Sequence, residues 1–236
     1  MDNNKQVIIG FMGNIGSGKT YLATQLHQYY IISSYVTNFA KAIKSIAYAG
    51  HITKDGKKVK IYANEDELFN RMVTETIKLV PEEIAVKMYS NPEKCYTLKQ
   101  LIKRYINSVS TENRMLIARN IFQFIGTEMG RECGGKDIWV NALIDDINEH
   151  ARNKKVIIID DVRFINEFRF IKDNNGYIIK IIGNRPVDTS HKSESEQLSI
   201  DPSEIDKTFV NTYTIATVRE VLEYAKTKLN ERLLKK

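Results

Sequence analysis

The sequence predicts a three-layer α/β fold, in which helices flank a parallel sheet, and the order of two kinds of segment carries that prediction. Short, continuous apolar runs at Val7–Met12, Lys155–Asp160 and Tyr177–Ile182 are typical of strands that are buried on both faces. Segments with helical periodicity, such as Gly18–Tyr30, separate these runs, and strands separated by helices pair in parallel through right-handed crossovers. The 236 residues suit one large domain, or one domain with a lid.

A helical block is expected to interrupt this alternation. From Asn64 to Asn107 the pattern is helical but broken by Pro81 and Pro92, which predicts about three short helices. Because the block has few strand signals, we expect a mostly helical lid or cap at about 50–110, inserted in a single domain of residues 1–236. Just before it, Asp55-Gly56 favours a tight hairpin turn. The other predicted elements are a strand at Tyr35–Thr37, helices at Phe39–Ala49 and Glu112–Glu132, a helix opened by Asp137, a helix near Phe164–Asn174, a strand at Thr208–Ile215 and a closing helix at Val218–Leu234.

Charge and composition limit the class of protein. The net charge of +6 and the sequence pI of about 9.1 suit a protein that binds nucleic acid or small phosphorylated molecules. The basic residues are spread along the chain without a stripe of interleaved aromatics, which argues mildly against stable nucleic-acid binding. Cys95 and Cys133 form neither a disulfide framework nor a metal pair, so we expect a reducing compartment such as the cytoplasm. No apolar run has the length of a membrane span or a signal-peptide core, so no membrane partner is expected.

The segment Gly13–Thr20 matches the pattern Gly-x4-Gly-Lys-Thr without a substitution, between a predicted strand and a predicted helix. Glycines let the backbone wrap round an anion with its N–H groups pointing inward, and the helix N-terminus adds positive partial charge. Lys19 can reach the β- and γ-phosphates of a nucleotide, and the Thr20 hydroxyl can bind magnesium. This P-loop predicts a site for ATP and Mg²⁺. The predicted donor-binding residues of the loop are Gly13, Asn14, Gly16, Ser17, Gly18, Lys19 and Thr20.

An acidic strand end supports that site. In P-loop proteins a second buried strand ends beside the phosphates with an acidic residue near magnesium, and Lys155–Asp161 has this form. Either Asp160 or Asp161 could serve the metal, and the alternative is a strand end capped by turn-forming acids. We predict Asp160 and Thr20 as the metal-binding pair. The chain lacks the guanine-binding pattern Asn-Lys-x-Asp and is short for a helicase core.

Further motifs agree with one known family in order and spacing. They are Phe39–Lys44, Phe122–Arg131 followed by Trp139-Val140, Asp161–Glu167, and Ile182–Pro186 followed by Ser190–Glu194. Through these motifs the chain resembles the phage-type deoxynucleoside monophosphate kinases, a branch of the P-loop nucleotide kinases, along most of its length except about 50–110. The resemblance implies phosphoryl transfer from ATP to a (deoxy)nucleoside 5′-monophosphate, which supplies precursors for DNA synthesis. It also implies a homodimer, located in the host cytoplasm if the protein is viral.

Candidate substrate residues come from several segments. Transfer to a phosphate acceptor needs cations that converge on the phosphates, so we predict Lys19, Arg131 and Arg163 as catalytic. Arg163 follows the strand end that carries Asp161, and its alternative is a surface cation paired with Glu167. The predicted substrate-binding residues are Phe39, Lys44, Thr127, Arg131, Trp139, Asp161, Arg163 and Glu167.

Structural alternatives remain open for most of these positions. Trp139 and Phe39 either stack on the acceptor base or belong to the core. The resemblance makes Arg131 an acceptor-phosphate ligand, but it could simply complement a helix dipole. Lys44 either meets the acceptor phosphate or lies on a solvated helix face. By resemblance, Arg185 and the loop after it form the adenine side of the donor site, and the alternative is an ordinary polar connection.

Two other functions are compatible with the P-loop. The first is a kinase for another small acceptor, such as dephospho-coenzyme A. The second, motivated by the net charge of +6, is an ATP-switched nucleic-acid-binding module, which would bind with a steep salt dependence.

Overall fold

The computed structural model of the chain describes residues 6–30, 32–54, 57–184 and 196–234. Its strands are β1 Val7–Met12, β2 Ser34–Thr37, β3 His51–Lys54, β4 Lys57–Lys60, β5 Val156–Val162, β6 Tyr177–Ile182 and β7 Lys207–Val210. Its α-helices are α1 Lys19–Tyr29, α2 Lys41–Ala47, α3 Glu65–Leu79, α4 Glu82–Tyr89, α5 Pro92–Asn107, α6 Thr111–Phe124, α7 Glu132–Gly134, α8 Ile138–His150, α9 Ile165–Asp173 and α10 Ile215–Leu234. A π-helical segment, Ile125–Arg131, joins α6 to α7.

The chain divides into two compact units. The first comprises Met1–Phe39 and Leu143–Lys236, and the second comprises Ala40–Ala142. The insertion predicted at about 50–110 lies wholly within the second unit, which begins before it and ends well after it. Its proposed action as a lid stays a prediction.

A parallel sheet forms the centre of the first unit. Its five strands lie in the order β2-β5-β1-β6-β7, and each neighbouring pair is parallel. The strand that leads into the P-loop, β1, is therefore central, with the acidic strand β5 on one side and β6 on the other. This arrangement confirms the predicted α/β fold. The predicted strand at Thr208–Ile215 is wrong in extent, because β7 ends at Val210 and Ile215 already begins α10.

Helices cover both faces of this sheet. On one face, α1 and α10 pack against the strands through a buried apolar cluster: Val7, Ile9, Phe11, Leu22, Ala23, Leu26, Val156, Ile158, Ile179, Ile181, Val221, Ala225 and Leu229. On the other face, α9 lies so close to β1 that a Cβ added at Gly10 would come within 2.5 Å of Ile171. The central strands β1, β5 and β6 consist mostly of apolar residues, as expected for a sheet buried on both sides.

The second unit is mainly helical. Helices α2 to α8 contribute to a buried core: Ala42, Ile46, Ala47, Leu68, Met72, Val80, Ala85, Met88, Leu98, Ile102, Ile121, Ile125, Met129, Ile138 and Trp139, with Tyr62 beside them. The three predicted short helices are confirmed as α3, α4 and α5. Side-chain caps set two of their starts, since Asn64 accepts from Glu67 N at 2.9 Å and Asn91 accepts from Glu93 N at 3.0 Å.

Three local predictions in this unit have different outcomes. The strands β3 and β4 pair antiparallel, with Lys54 opposite Lys57, and the Asp55-Gly56 turn between them lies outside the described residues. The helix predicted at Phe39–Ala49 begins at Lys41 instead. The helix predicted at Glu112–Glu132 is confirmed in extent, but its last third is the π-helical segment Ile125–Arg131.

Candidate functional site

The P-loop has a backbone that only glycine adopts without strain at several positions. Gly13, Gly16 and Gly18 have φ angles of 141°, 78° and 93°. A Cβ at Gly13 would also collide with the carbonyl oxygen of Ile181 in β6, and a Cβ at Gly18 would collide with the side chain of Asn211. The loop is thus pressed against the sheet edge, and the pattern of glycines in the motif has a steric reason.

Lys19 is the first residue of α1 and lies against the loop. Its side chain is 6% exposed, and its Nζ donates to the carbonyl oxygen of Asn14 at 2.8 Å. Thr20, next in the helix, is exposed. A buried ammonium and the N-terminal end of an 11-residue helix thus lie together at the end of β1, which is a favourable place for a polyphosphate.

The two acidic residues at the end of β5 are not equivalent. The Asp161 carboxylate accepts from the backbone N–H of Phe39 at 2.8 Å, which ties β5 to the segment that follows β2. Asp160 is 5% exposed, and its Oδ1 atom finds no hydrogen-bond partner in the described part of the chain. The register between β1 and β5 shifts between the pairs Gly10–Ile159 and Met12–Val162, so Asp160 lies in an irregular part of β5 beside the strand that leads into the P-loop. The buried oxygen without a partner favours Asp160 over Asp161 as the acid of the phosphate site.

These groups fit a magnesium ion bound with a nucleotide. A buried carboxylate oxygen without a partner costs free energy unless a ligand or water satisfies it. The Ser17 hydroxyl of the loop is likewise buried without a partner among the described residues. The described residues contain no cluster of three or more His, Cys, Asp or Glu side chains suited to a metal. Mg²⁺ usually keeps several waters and binds through one or two carboxylates together with substrate phosphates.

Arg163 follows β5 directly and Glu167 lies one helical turn later, but the carboxylate has a structural use. Glu167 is buried, and its Oε2 accepts from the backbone N–H groups of Arg163 at 2.8 Å and Phe164 at 3.1 Å. These contacts cap the N-terminus of α9. This cap accounts for one oxygen of the Glu167 carboxylate and supports a structural role, and the binding of substrate by Glu167 stays a prediction. Arg163 is half-buried and stands at the carboxyl edge of the sheet.

Phe39 and Trp139 do not present a free ring face. Phe39 is 3% exposed, and its ring lies edge-on to Phe170 with centroids 6.1 Å apart. Trp139 is 1% exposed, within the core of the second unit, and its indole N–H donates to the carbonyl oxygen of Gly126 at 2.7 Å. For both residues this burial supports the alternative of a core position, and stacking on an acceptor base stays a prediction.

The other predicted acceptor residues of the second unit differ in exposure. Lys44, on α2, is exposed, and Thr127 is half-buried in the π-helical segment. Arg131 ends that segment, and its guanidinium donates to the carbonyl oxygen of Lys136 at 2.7 Å, which supports the structural alternative of a cation at a helix end. π-Helical turns occur frequently at functional sites. Arg185 and the loop Ser190–Glu194 lie outside the described residues.

The sequence did not predict the role of two residues behind the P-loop. Asn211 donates to the carbonyl oxygen of Ser17 at 2.8 Å, and the Tyr213 hydroxyl donates to the carbonyl oxygen of Gly16 at 2.8 Å. Both follow β7 directly. Alternating apolar residues predicted a strand through this segment, so the role of these two residues was missed. The cluster of Asn, Thr and Tyr after the strand indicated a turn instead.

The fold and the P-loop define an α/β kinase-like protein, and comparison with known proteins narrows this description. No protein-family model matches the chain. The chain is similar to a protein of Acanthamoeba polyphaga mimivirus named "Putative deoxynucleotide monophosphate kinase", with 29% identity over 214 residues that cover 89% of the chain and 90% of the relative. This similarity confirms the resemblance indicated by the motifs, and with the fold it supports a nucleotide kinase in general.

A structural relative is more distant. The unliganded crystal structure of a sugar kinase from Janibacter sp. HTCC2649 covers 95% of both chains with 14% identity and a TM-score of 0.38. At that TM-score the likeness supports no conclusion on fold or substrate. Among the described helices, none combines the length and the apolar composition that a membrane crossing requires.

Proposed function

We propose that the chain transfers the γ-phosphate of ATP to a deoxynucleoside 5′-monophosphate, giving the diphosphate and so supplying precursors for DNA synthesis. The observation that carries this proposal is the buried Oδ1 of Asp160, which has no hydrogen-bond partner among the described residues and lies at the same sheet edge as a complete P-loop. The similarity to a mimivirus protein named as a deoxynucleotide monophosphate kinase supports the choice of acceptor.

On the donor side, each residue has a defined task. The backbone N–H groups of Gly13–Thr20 bind the phosphates, and Lys19 moves from the Asn14 carbonyl oxygen, 2.8 Å away, to the β- and γ-phosphates. Thr20 and Asp160 would hold Mg²⁺, directly or through water, and the bound ion would supply positive charge to offset that of the phosphates. Arg185 would lie on the adenine side of the donor site.

On the acceptor side, the proposal relies on cations. Arg163 stands after the strand end that carries Asp161, at the carboxyl edge where ligands of parallel sheets bind. Its charge would offset that of the transferring group. Lys44 and Arg131 are the proposed ligands of the monophosphate, with Thr127 beside the sugar or base. No general base is needed, because the acceptor phosphate is already ionised near neutral pH.

The proposal also specifies the cofactors, the binding partners and the cellular location. The donor is ATP with Mg²⁺, and the partners are small nucleotides without stable nucleic-acid or membrane binding. The resemblance also suggests a homodimer. We place the protein in the cytoplasm, which is the host cytoplasm if the chain is viral.

An acceptor screen tests the proposal. ADP release from ATP and Mg²⁺ is measured with each deoxy and ribo monophosphate, and with dephospho-coenzyme A as the competing acceptor. We expect release that depends on at least one deoxynucleoside monophosphate. Stimulation by dephospho-coenzyme A alone, or by no acceptor, would contradict the proposal.

An arginine pair provides the matched control. Arg163→Ala should lower turnover by about 10²-fold or more while ATP binding is retained, because a transition-state charge loses its partner. Arg169 lies on α9, where it is exposed and pairs with Glu204 at 2.6 Å. Arg169→Ala should leave turnover unchanged. Equal activities for the two variants would remove Arg163 from the proposed mechanism.

A further inference from the structure

A residue behind the P-loop makes three hydrogen bonds that the donor chemistry does not itself explain. Asn211 is buried directly after β7. Its backbone N–H donates to the carbonyl oxygen of Ile182 at 2.7 Å. Its side-chain amide donates to Ser17 O at 2.8 Å and accepts from the backbone N–H of Tyr213 at 2.8 Å. Through its backbone and its side chain, Asn211 thus joins the ends of β6 and β7 to the middle of the P-loop.

Tyr213 extends the same connection to the preceding peptide. Its hydroxyl donates to the Gly16 carbonyl oxygen at 2.8 Å, and its backbone has a φ of 59°. A bulky residue in the left-handed region is an outlier that persists only where surrounding contacts hold it. The packing is close, since a Cβ at Gly183 would lie 2.7 Å from the Tyr213 hydroxyl and 2.8 Å from Ser17 Cα.

The direction of these bonds has a consequence for the phosphate site. A trans peptide is planar, so its N–H points opposite to its C=O. When Gly16 O is held by Tyr213, the N–H of Ser17 faces away from the tyrosine, and it closes the loop on the Asn14 carbonyl oxygen at 3.1 Å. When Ser17 O is held by Asn211, the N–H of Gly18 likewise faces away from the asparagine.

We propose that Asn211 and Tyr213 are positioning residues for the donor phosphates: Tyr213 holds the Gly16–Ser17 peptide in the turn that the Ser17 N–H closes on Asn14, and Asn211 fixes the next peptide with its Gly18 N–H turned to the anion. The inference rests on the proposed binding of ATP at Gly13–Thr20. Neither side chain needs to touch the nucleotide, because each acts through a carbonyl oxygen of the loop. The fixed peptides reduce the reorganisation that binding would otherwise require.

Two tyrosines offer a matched experiment. Tyr213→Phe removes only the hydroxyl that holds Gly16 O. Tyr224→Phe removes the same group from α10, where the hydroxyl donates to the Asp206 carbonyl oxygen at 3.1 Å. Binding of a non-hydrolysable ATP analogue with Mg²⁺ is measured by calorimetry for the wild type and both variants, together with thermal unfolding. We expect about two- to tenfold weaker binding for Tyr213→Phe, as for one lost hydrogen bond, and unchanged binding for Tyr224→Phe.

A third variant separates positioning from stability. Tyr213→Gly removes the hydroxyl and also relieves the left-handed backbone, so analogue binding should weaken while thermal stability is retained or raised. Equal affinities for Tyr213→Phe and Tyr224→Phe would overturn the inference, as would affinity losses that merely follow the loss of stability. A wild type that binds no analogue would overturn it too. A wild type that binds the analogue but phosphorylates no monophosphate would sink only the proposed function.

Discussion

Replacing Trp139 with phenylalanine tests whether this residue is part of the core rather than a platform for the acceptor base. The substitution removes the indole N–H that donates to Gly126 O at 2.7 Å. A buried carbonyl left without its partner costs about 1–3 kcal/mol, and the void left by the smaller ring adds about 1–2 kcal/mol. The sum, about 2–5 kcal/mol, corresponds to a fall in Tm of roughly 5–15 °C for a chain of this size.

A second substitution makes the test specific to this contact. A Cβ at Gly130 would collide with the Trp139 ring and lie 3.0 Å from the Ile125 carbonyl oxygen. Gly130→Ala alone should therefore destabilise the protein. In the Trp139→Phe background the added methyl group enters the vacated space, so the double variant should lose less than the sum of the two single losses.

The assay must not depend on the indole, because Trp139 is the single tryptophan of the chain. Unfolding is followed by circular dichroism, and the KM for the best monophosphate is measured well below the transition. We expect lower stability, less than additive losses, and a KM close to that of the wild type. A stable Trp139→Phe variant whose KM for the monophosphate rises tenfold or more would refute the assignment to the core.

Substitutions at three residues probe individual carboxylates. Glu167→Ala should cost about 1–2 kcal/mol of unfolding free energy through loss of the α9 cap, whereas Glu167→Gln, which retains an acceptor, should stay close to the wild type in denaturant titrations. Asp160→Asn should raise the Mg²⁺ concentration for half-maximal activity about tenfold without lowering Tm, and an unchanged requirement would remove Asp160 from the metal site. Burial, with Glu132 nearby, raises the pKa of Glu128, so its folded form loses stability as pH rises through that raised value. The stability of Glu128→Gln relative to the wild type should therefore increase as pH rises above about 4, the ordinary pKa of a glutamate, and a constant difference in urea midpoints would contradict this.

Sequence patterns that arise from local backbone constraints predicted the corresponding strands and loop correctly. The apolar runs identified β1, β5 and β6, because a strand covered on both faces has no polar face to show. The spacing of Gly13–Thr20 identified the phosphate loop, because the positive φ values at its glycines exclude other residues. Such constraints act within a few residues, so the local sequence contains them.

Features set by tertiary packing were not predictable in the same way. The surroundings of Trp139 include Gly126 and Gly130, which lie on a different segment of the chain. The periodicity of the helix that carries Trp139 therefore does not reveal these contacts. The π-helical segment keeps an apolar pattern that a normal helix would also show. Glu167 forms only half of a capping box, and the phenylalanine at the cap position, Phe164, gave no sequence signal of it.

Transfer of labelled phosphate tests the central claim most directly. Wild-type protein is incubated with ATP labelled at the γ-phosphate, Mg²⁺ and one deoxynucleoside monophosphate, and the products are separated by chromatography. We predict label in the deoxynucleoside diphosphate, and its loss in Lys19→Ala, because the lysine no longer offsets the phosphate charge. Label that appears only as inorganic phosphate, or that stays in ATP with every monophosphate, would contradict the claim that this chain is a deoxynucleoside monophosphate kinase.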